Sequence, residues 1–157
     1  MSNRLLASSP FLDIQRQGEP HPDANEFPYL AASPLFADLP PAGLVWVASQ
    51  GEIHQWQPGE VVVEEGAISD ALGVVLAGSG RVSLQDGALV ILGPGETIGE
   101  MGVITGAPRS KTVKAGPEGL RAFQVPRESF EELLHRSRYF SRGLLRQLAE
   151  RLTASRS

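Results

Sequence analysis

Between Gly51 and Val125, short β-branched and aliphatic runs are cut every few residues by pairs that suit a turn, and this punctuation limits the fold more than any other feature of the chain. EIHQW precedes Pro58-Gly59, EVVVEE precedes Gly66, and LGVVLAG leads to RVSL. Asp86-Gly87 separates RVSL from ALVIL, Gly93-Pro94-Gly95 closes ALVIL, and KTVKA and LRAFQV follow. Such runs are short for helices, and the tight turns favour antiparallel neighbours. About seven short strands predict a barrel or double-sheet roll. Asp86-Gly87 is the strongest single hairpin signal, because both residues tolerate the positive φ of a two-residue turn.

The flanks read differently. Residues 1–30 are polar and interrupted by Pro10, Pro20, Pro22 and Pro28, which predicts a flexible N-terminal extension. FLDI, Phe11 to Ile14, is read as incidental to it. From Ser33, prolines at first-helical positions and Leu35, Phe36, Leu39, Leu44 and Val47 fit one or two short helices. After Pro126 the apolar period becomes helical through Phe130, Leu133, Phe140, Leu144, Leu148 and Leu152, giving two closing helices. The expected fold is α+β: an antiparallel β-roll, of the jelly-roll or double-stranded β-helix type, flanked by N-terminal helices and two C-terminal helices. Residues 31–157 form one domain in this reading.

Composition narrows function mainly by exclusion. A chain of 157 residues with 41% hydrophobic and 20% charged residues fits one globular domain. Its formal net charge of -4 gives no general reason to bind nucleic acid. Without cysteine there is no disulfide, thiolate nucleophile or zinc-thiolate site, and His21, His54 and His135 are scattered, so neither a metal nor a cofactor is expected. The N-terminus lacks signal-peptide order and no run is long enough to span a membrane, so a cytoplasmic protein without membrane association is expected.

The chemistry concentrates in GEMGVITGAPRSKTV, Gly99 to Val113. An arginine at the mouth of a roll offers a planar donor fork for phosphate or carboxylate, and a glutamate can accept from sugar hydroxyls, so Glu100 and Arg109 together suit a sugar phosphate. Gly99 allows close backbone approach, Gly106 a left-handed turn, and a helical turn over Glu100 to Thr105 would aim amides at an anion. On spacing alone, an ion pair between Glu100 and Arg109 that pins a loop explains the same residues.

IGEMGVITGAPRSKTVKA resembles the phosphate-binding cassette of cyclic nucleotide-binding domains, a glycine-glutamate pair followed after a short stretch by proline-arginine. The resemblance runs from about Ser33 to Leu152: SPLFADLP is similar to the family's leading helical segment, QPGEVVVEEGAISDALGVVLAG to its glycine landmarks, and FEELLHRSRYFSRGLLRQLAERL to its two closing helices. It implies a non-catalytic sensor for a 3′,5′-cyclic nucleotide, cyclic AMP or alternatively cyclic GMP. Arg109 and Ser110 would hold the phosphate, and Gly99 and Glu100 the ribose. Ile98, Met101, Pro108 and Thr112 would support the cassette, and Leu145 and Leu148 would cover the base. The closing helix would relay binding to a protein effector or fused domain outside this chain, and could pair two copies. Departures from the pattern are Ile98 for the usual phenylalanine, Gly80 for a branched residue, and Lys111 for a small alanine.

Other features have plainer readings. From Arg127 onward seven arginines face four glutamates, which a solvated helix explains. Trp46 and Trp56 read as core or rim, His54 as surface, and Glu60, Glu64 and Glu65 as surface carboxylates. Three rivals stand beside this sensor: the same fold without nucleotide binding, acting as a protein-interaction module; the same fold binding a cyclic dinucleotide; and a cupin-like metal enzyme, which needs a histidine-carboxylate cluster.

Overall fold

The computed structural model describes residues 21–68 and 70–156, without the side chains of Glu100, Met101 and the last two of these residues. Helices α1 (Phe27–Ala32) and α2 (Pro41–Gln50) lead into six strands. These are β1 (Glu52–Trp56), β2 (Val61–Val63), β3 (Ala71–Ser83), β4 (Leu89–Leu92), β5 (Thr97–Ile98) and β6 (Val113–Pro126). A short helix α3 (Glu100–Thr105) lies between β5 and β6, and α4 (Arg127–Arg136) and α5 (Arg138–Arg156) close the chain. Both N-terminal helices carry proline in their first turn, where the missing N–H costs nothing.

All pairing is antiparallel, in the order β1-β6-β3-β4, with β2 on β6 and β5 on β3. LGVVLAG and RVSL, expected as two strands, are one 13-residue strand, and KTVKA with LRAFQV gives one of 14 residues. The intervening glycines bend these strands without ending them. The β3-β6 register runs from Ala71↔Pro126 to Val82↔Val113 and slips beside Gly78. There φ is +73° and an added Cβ would lie 2.1 Å from the Gly119 carbonyl oxygen, so only glycine lets the strands touch while they curl. A hairpin forms between β3 and β4 at the expected place but not as a two-residue turn: the Gly87 amide donates to Leu84 O at 3.0 Å, so Gln85 and Asp86 are its central pair, and Gly87 follows at φ +88° with the Ala88 amide donating to Asp86 Oδ1 at 2.9 Å.

Two apolar clusters result. One lies between sheet and helices, built on Leu30, Phe36, Ile53, Leu72, Phe123, Phe130 and Phe140. The other fills the roll with Val75, Val82, Ile98, Val113, Leu120 and Ala122. The expected flexible extension of residues 1–30 is too long. Leu30 is fully buried in the first cluster, Glu26 accepts from both Nε and Nη2 of Arg121, and His21 Nδ1 lies 2.8 Å from the Ala48 carbonyl. One leucine and one acid, unremarkable in a proline-rich stretch, suffice to fasten it because their partners lie far away in sequence. Residues 1–20, FLDI included, lie outside the described part. His54 is half-buried, not at the surface, its ring stacked 5.7 Å from that of Trp56.

Candidate functional site

The second cluster ends at β5, and the site is built on that edge. Ile98 is buried and pairs with Gly73, and the chain then turns through Gly99 at φ +87° into α3. The first bond of α3 runs from the Val103 amide to the Gly99 carbonyl, 3.2 Å. Gly106, at φ +73°, ends the helix by donating to Gly102 O. Val103, buried in the first cluster, holds the helix down.

Arg109 is fixed at backbone and side chain. Its amide donates to Ala67 O and its carbonyl accepts from Gly66, each at 2.8 Å, so the loop between β2 and β3 clamps it. Its side chain is half-buried, with Nη2 donating to Ala71 O at 3.1 Å. The guanidinium packs against Gly99, where an added Cβ would lie 1.8 Å from Nη1. The left-handed conformation requires glycine here, and a side chain would in addition push the guanidinium from its seat.

Beside the guanidinium opens a cavity of about 340 Å³, within the usual size of small-ligand sites. Ile98, Gly99, Pro108, Arg109 and Ser110 all line it, and Val63, Leu92 and Val113 form its apolar wall. The fork, the Ser110 and Thr105 hydroxyls and this wall can receive an anion attached to an apolar or aromatic body. Thr112 supports the loop from the other side, its Oγ1 accepting from the Glu65 amide at 3.1 Å. Lys111 is exposed at the rim. The backbone of Glu100 and Met101 forms the start of α3, and their side chains lie outside the described part. Leu145 is exposed and Leu148 packs on the first cluster, and neither lines this cavity.

Sequence reasoning missed the clamp at Gly66, Ala67 and Ala71. The Glu-Gly turn was visible, but its pairing with a residue more than forty positions away carries no local signal. Among the described residues, no group of three histidines and carboxylates gathers as a metal-dependent roll enzyme would need. None of their helices is long and apolar enough to cross a membrane.

The family model for the cyclic nucleotide-binding domain matches residues 53–137, more than half of the chain and all of the site. The chain belongs to the cyclic nucleotide-binding domain family. It is 34% identical over 131 residues to the acetyltransferase Pat of Mycolicibacterium smegmatis, covering 80% of this chain and 38% of that protein. It is 41% identical over 86 residues to a cyclic nucleotide-gated potassium channel of Mesorhizobium japonicum, covering 55% of this chain and 24% of the channel. The chain therefore spans well under half of these curated relatives. Among solved structures, the Thermus thermophilus catabolite activator protein superimposes with a TM-score of 0.69 at 28% identity, over 78% of this chain and 60% of that one. An acetyltransferase, a potassium channel and a catabolite activator protein thus contain segments similar to this chain, and the antiparallel roll flanked by helices is the family fold.

Proposed function

We propose that this chain is a regulatory sensor module that binds a 3′,5′-cyclic nucleotide, cyclic AMP in preference to cyclic GMP, without catalysing a reaction. The observation that carries this reading is the half-buried guanidinium of Arg109, clamped through its backbone and seated on Gly99 beside a cavity of mononucleotide size. The phosphate takes the outer side of the fork and the Ser110 hydroxyl, the ribose lies against Gly99 and the Glu100 carboxylate, and the base rests on the wall of Val63, Leu92 and Val113. Ile98, Met101, Pro108 and Thr112 hold the cassette in shape.

Relay runs through the closing helices. Phe140 of α5 stacks on Phe36 at 5.8 Å and meets Phe130 of α4 edge-on at 5.3 Å, and Arg146 pairs with Asp38. Further along α5, Leu145 and Leu152 are exposed. Ligand that orders the cassette would favour a state in which Leu145 and Leu148 approach the base, a population shift whose size is set by differential affinity. The exposed leucines also suit pairing with a second copy. The effector is a protein or fused domain, and the module works in the cytoplasm.

Calorimetric titration with the two nucleotides tests the reading. Binding of cyclic AMP, about tenfold tighter than cyclic GMP, or about 1.4 kcal/mol, is expected. Absence of binding to either would leave the chain a roll that acts through protein contacts alone.

A further inference from the structure

The loop that carries Arg109 also borders a second depression, of about 780 Å³, outside the roll. Three cations line it: Arg81 of β3, Lys114 of β6 and Lys111 of the loop. Arg81 stands directly opposite Lys114 in the β3-β6 register, whereas Val82 and Val113 beside them are buried in the roll. The cationic pair therefore sits on the outer face, and like charges facing across a ladder destabilise it unless an anion intervenes.

No anion from the described chain does so. None of the three cations makes an ion pair with a described carboxylate; Arg81 Nε reaches only the Ser79 hydroxyl, at 3.4 Å. Two acids border the groove. Asp86 Oδ1 is engaged by the Ala88 amide of the hairpin, and Glu65 is exposed at the rim. A concentration of unpaired positive charge in a chain of net charge -4 is a local arrangement and does not follow from composition.

Its position names the ligand class. Ser110 and Lys111 line both the outer groove and the inner cavity, so the two spaces meet across a ridge of two residues. We propose that the outer groove is a second phosphate subsite, and that the module takes ligands bearing two phosphodiester groups, one against Arg109 and the other among Arg81, Lys111 and Lys114. This rests on the inner cavity being the nucleotide site. Because the two spaces share Ser110 and Lys111, one bridging molecule carries both phosphates, and stoichiometry checks this.

The test is calorimetric titration of the full chain with cyclic AMP and with cyclic di-AMP, for the parent, Arg109→Leu and the double variant Arg81→Ala/Lys114→Ala. The dinucleotide is expected to bind at least tenfold tighter than cyclic AMP, by a margin that shrinks with added salt. The double variant should lose that margin and keep cyclic AMP binding, and Arg109→Leu should weaken both ligands. One dinucleotide per chain is expected, and two per chain would overturn the bridging ligand. If the double variant fails to fold, Lys114→Gln is held to the same outcomes. A dinucleotide that binds no tighter than cyclic AMP, or keeps its advantage in the variant, overturns the groove and leaves the inner site standing. Dinucleotide binding sensitive to Arg81 and Lys114 without any cyclic AMP binding would instead uphold the groove and remove the cyclic AMP reading.

Discussion

A methyl group at position 99 would collide with the Arg109 guanidinium and force a side chain into the left-handed region. Gly99→Ala is therefore expected to cost about 1–3 kcal/mol of stability and to weaken nucleotide binding, read from urea unfolding and titration together. An unchanged value in both would show that the fork does not depend on this contact. His54 makes a separate case. Burial lowers its pKa from 6.5 to about 4, with the Glu52 carboxylate 3.8 Å from Nε2 and the Trp56 ring stacked on it. The folded ring stays neutral where the unfolded one takes up a proton, so stability is full above about pH 6.5 and falls as pH drops toward 4. Because the ring is partly exposed, the loss should be on the order of 1–2 kcal/mol. Unfolding at pH 7 and pH 4.5 checks this against His54→Gln, in which that part of the slope should vanish.

At the scale of elements, the segment around α1 is the sharpest departure from the reading of the sequence. Leu30→Ala is expected to cost about 2–5 kcal/mol, because Leu30 is fully buried. Glu26→Gln should cost about 1–3 kcal/mol by weakening the pair with half-buried Arg121. Thermal unfolding of both variants checks the point, and a Leu30→Ala midpoint equal to the parent's would restore residues 1–30 as a dispensable extension. Strand positions, the Asp86-Gly87 hairpin and the closing helices were legible because each rests on local period or turn chemistry. The glycine pairs at Gly78-Gly80 and Gly116-Gly119 misled for the same reason: locally they read as turns, and only the partner strand makes them bends in a continuous ladder. Of the site, Gly99, Pro108, Arg109 and Ser110 stood in one contiguous stretch. The clamp from Gly66 to Ala71 and the outer pairing of Arg81 with Lys114 depend on register and were invisible.

For the whole molecule, the two clusters divide the work. The inner cluster fixes Ile98 and Val113 around the cavity, and the outer one ties the cassette helix, through Val103, to the same body of side chains as Phe130 and Phe140. A change in the cassette therefore meets α4 and α5 through packed side chains, which is the physical requirement for the proposed relay. The proposed sensing depends first on Arg109 holding a cyclic phosphate. The most direct measurement is the melting temperature of the parent and of Arg109→Leu with and without cyclic AMP, at about 100 times the parent's dissociation constant. The parent should gain about 2.7 kcal/mol, several degrees for a chain of this size, and the variant should gain nothing. An equal shift in both proteins would place the ligand away from Arg109 and contradict the account.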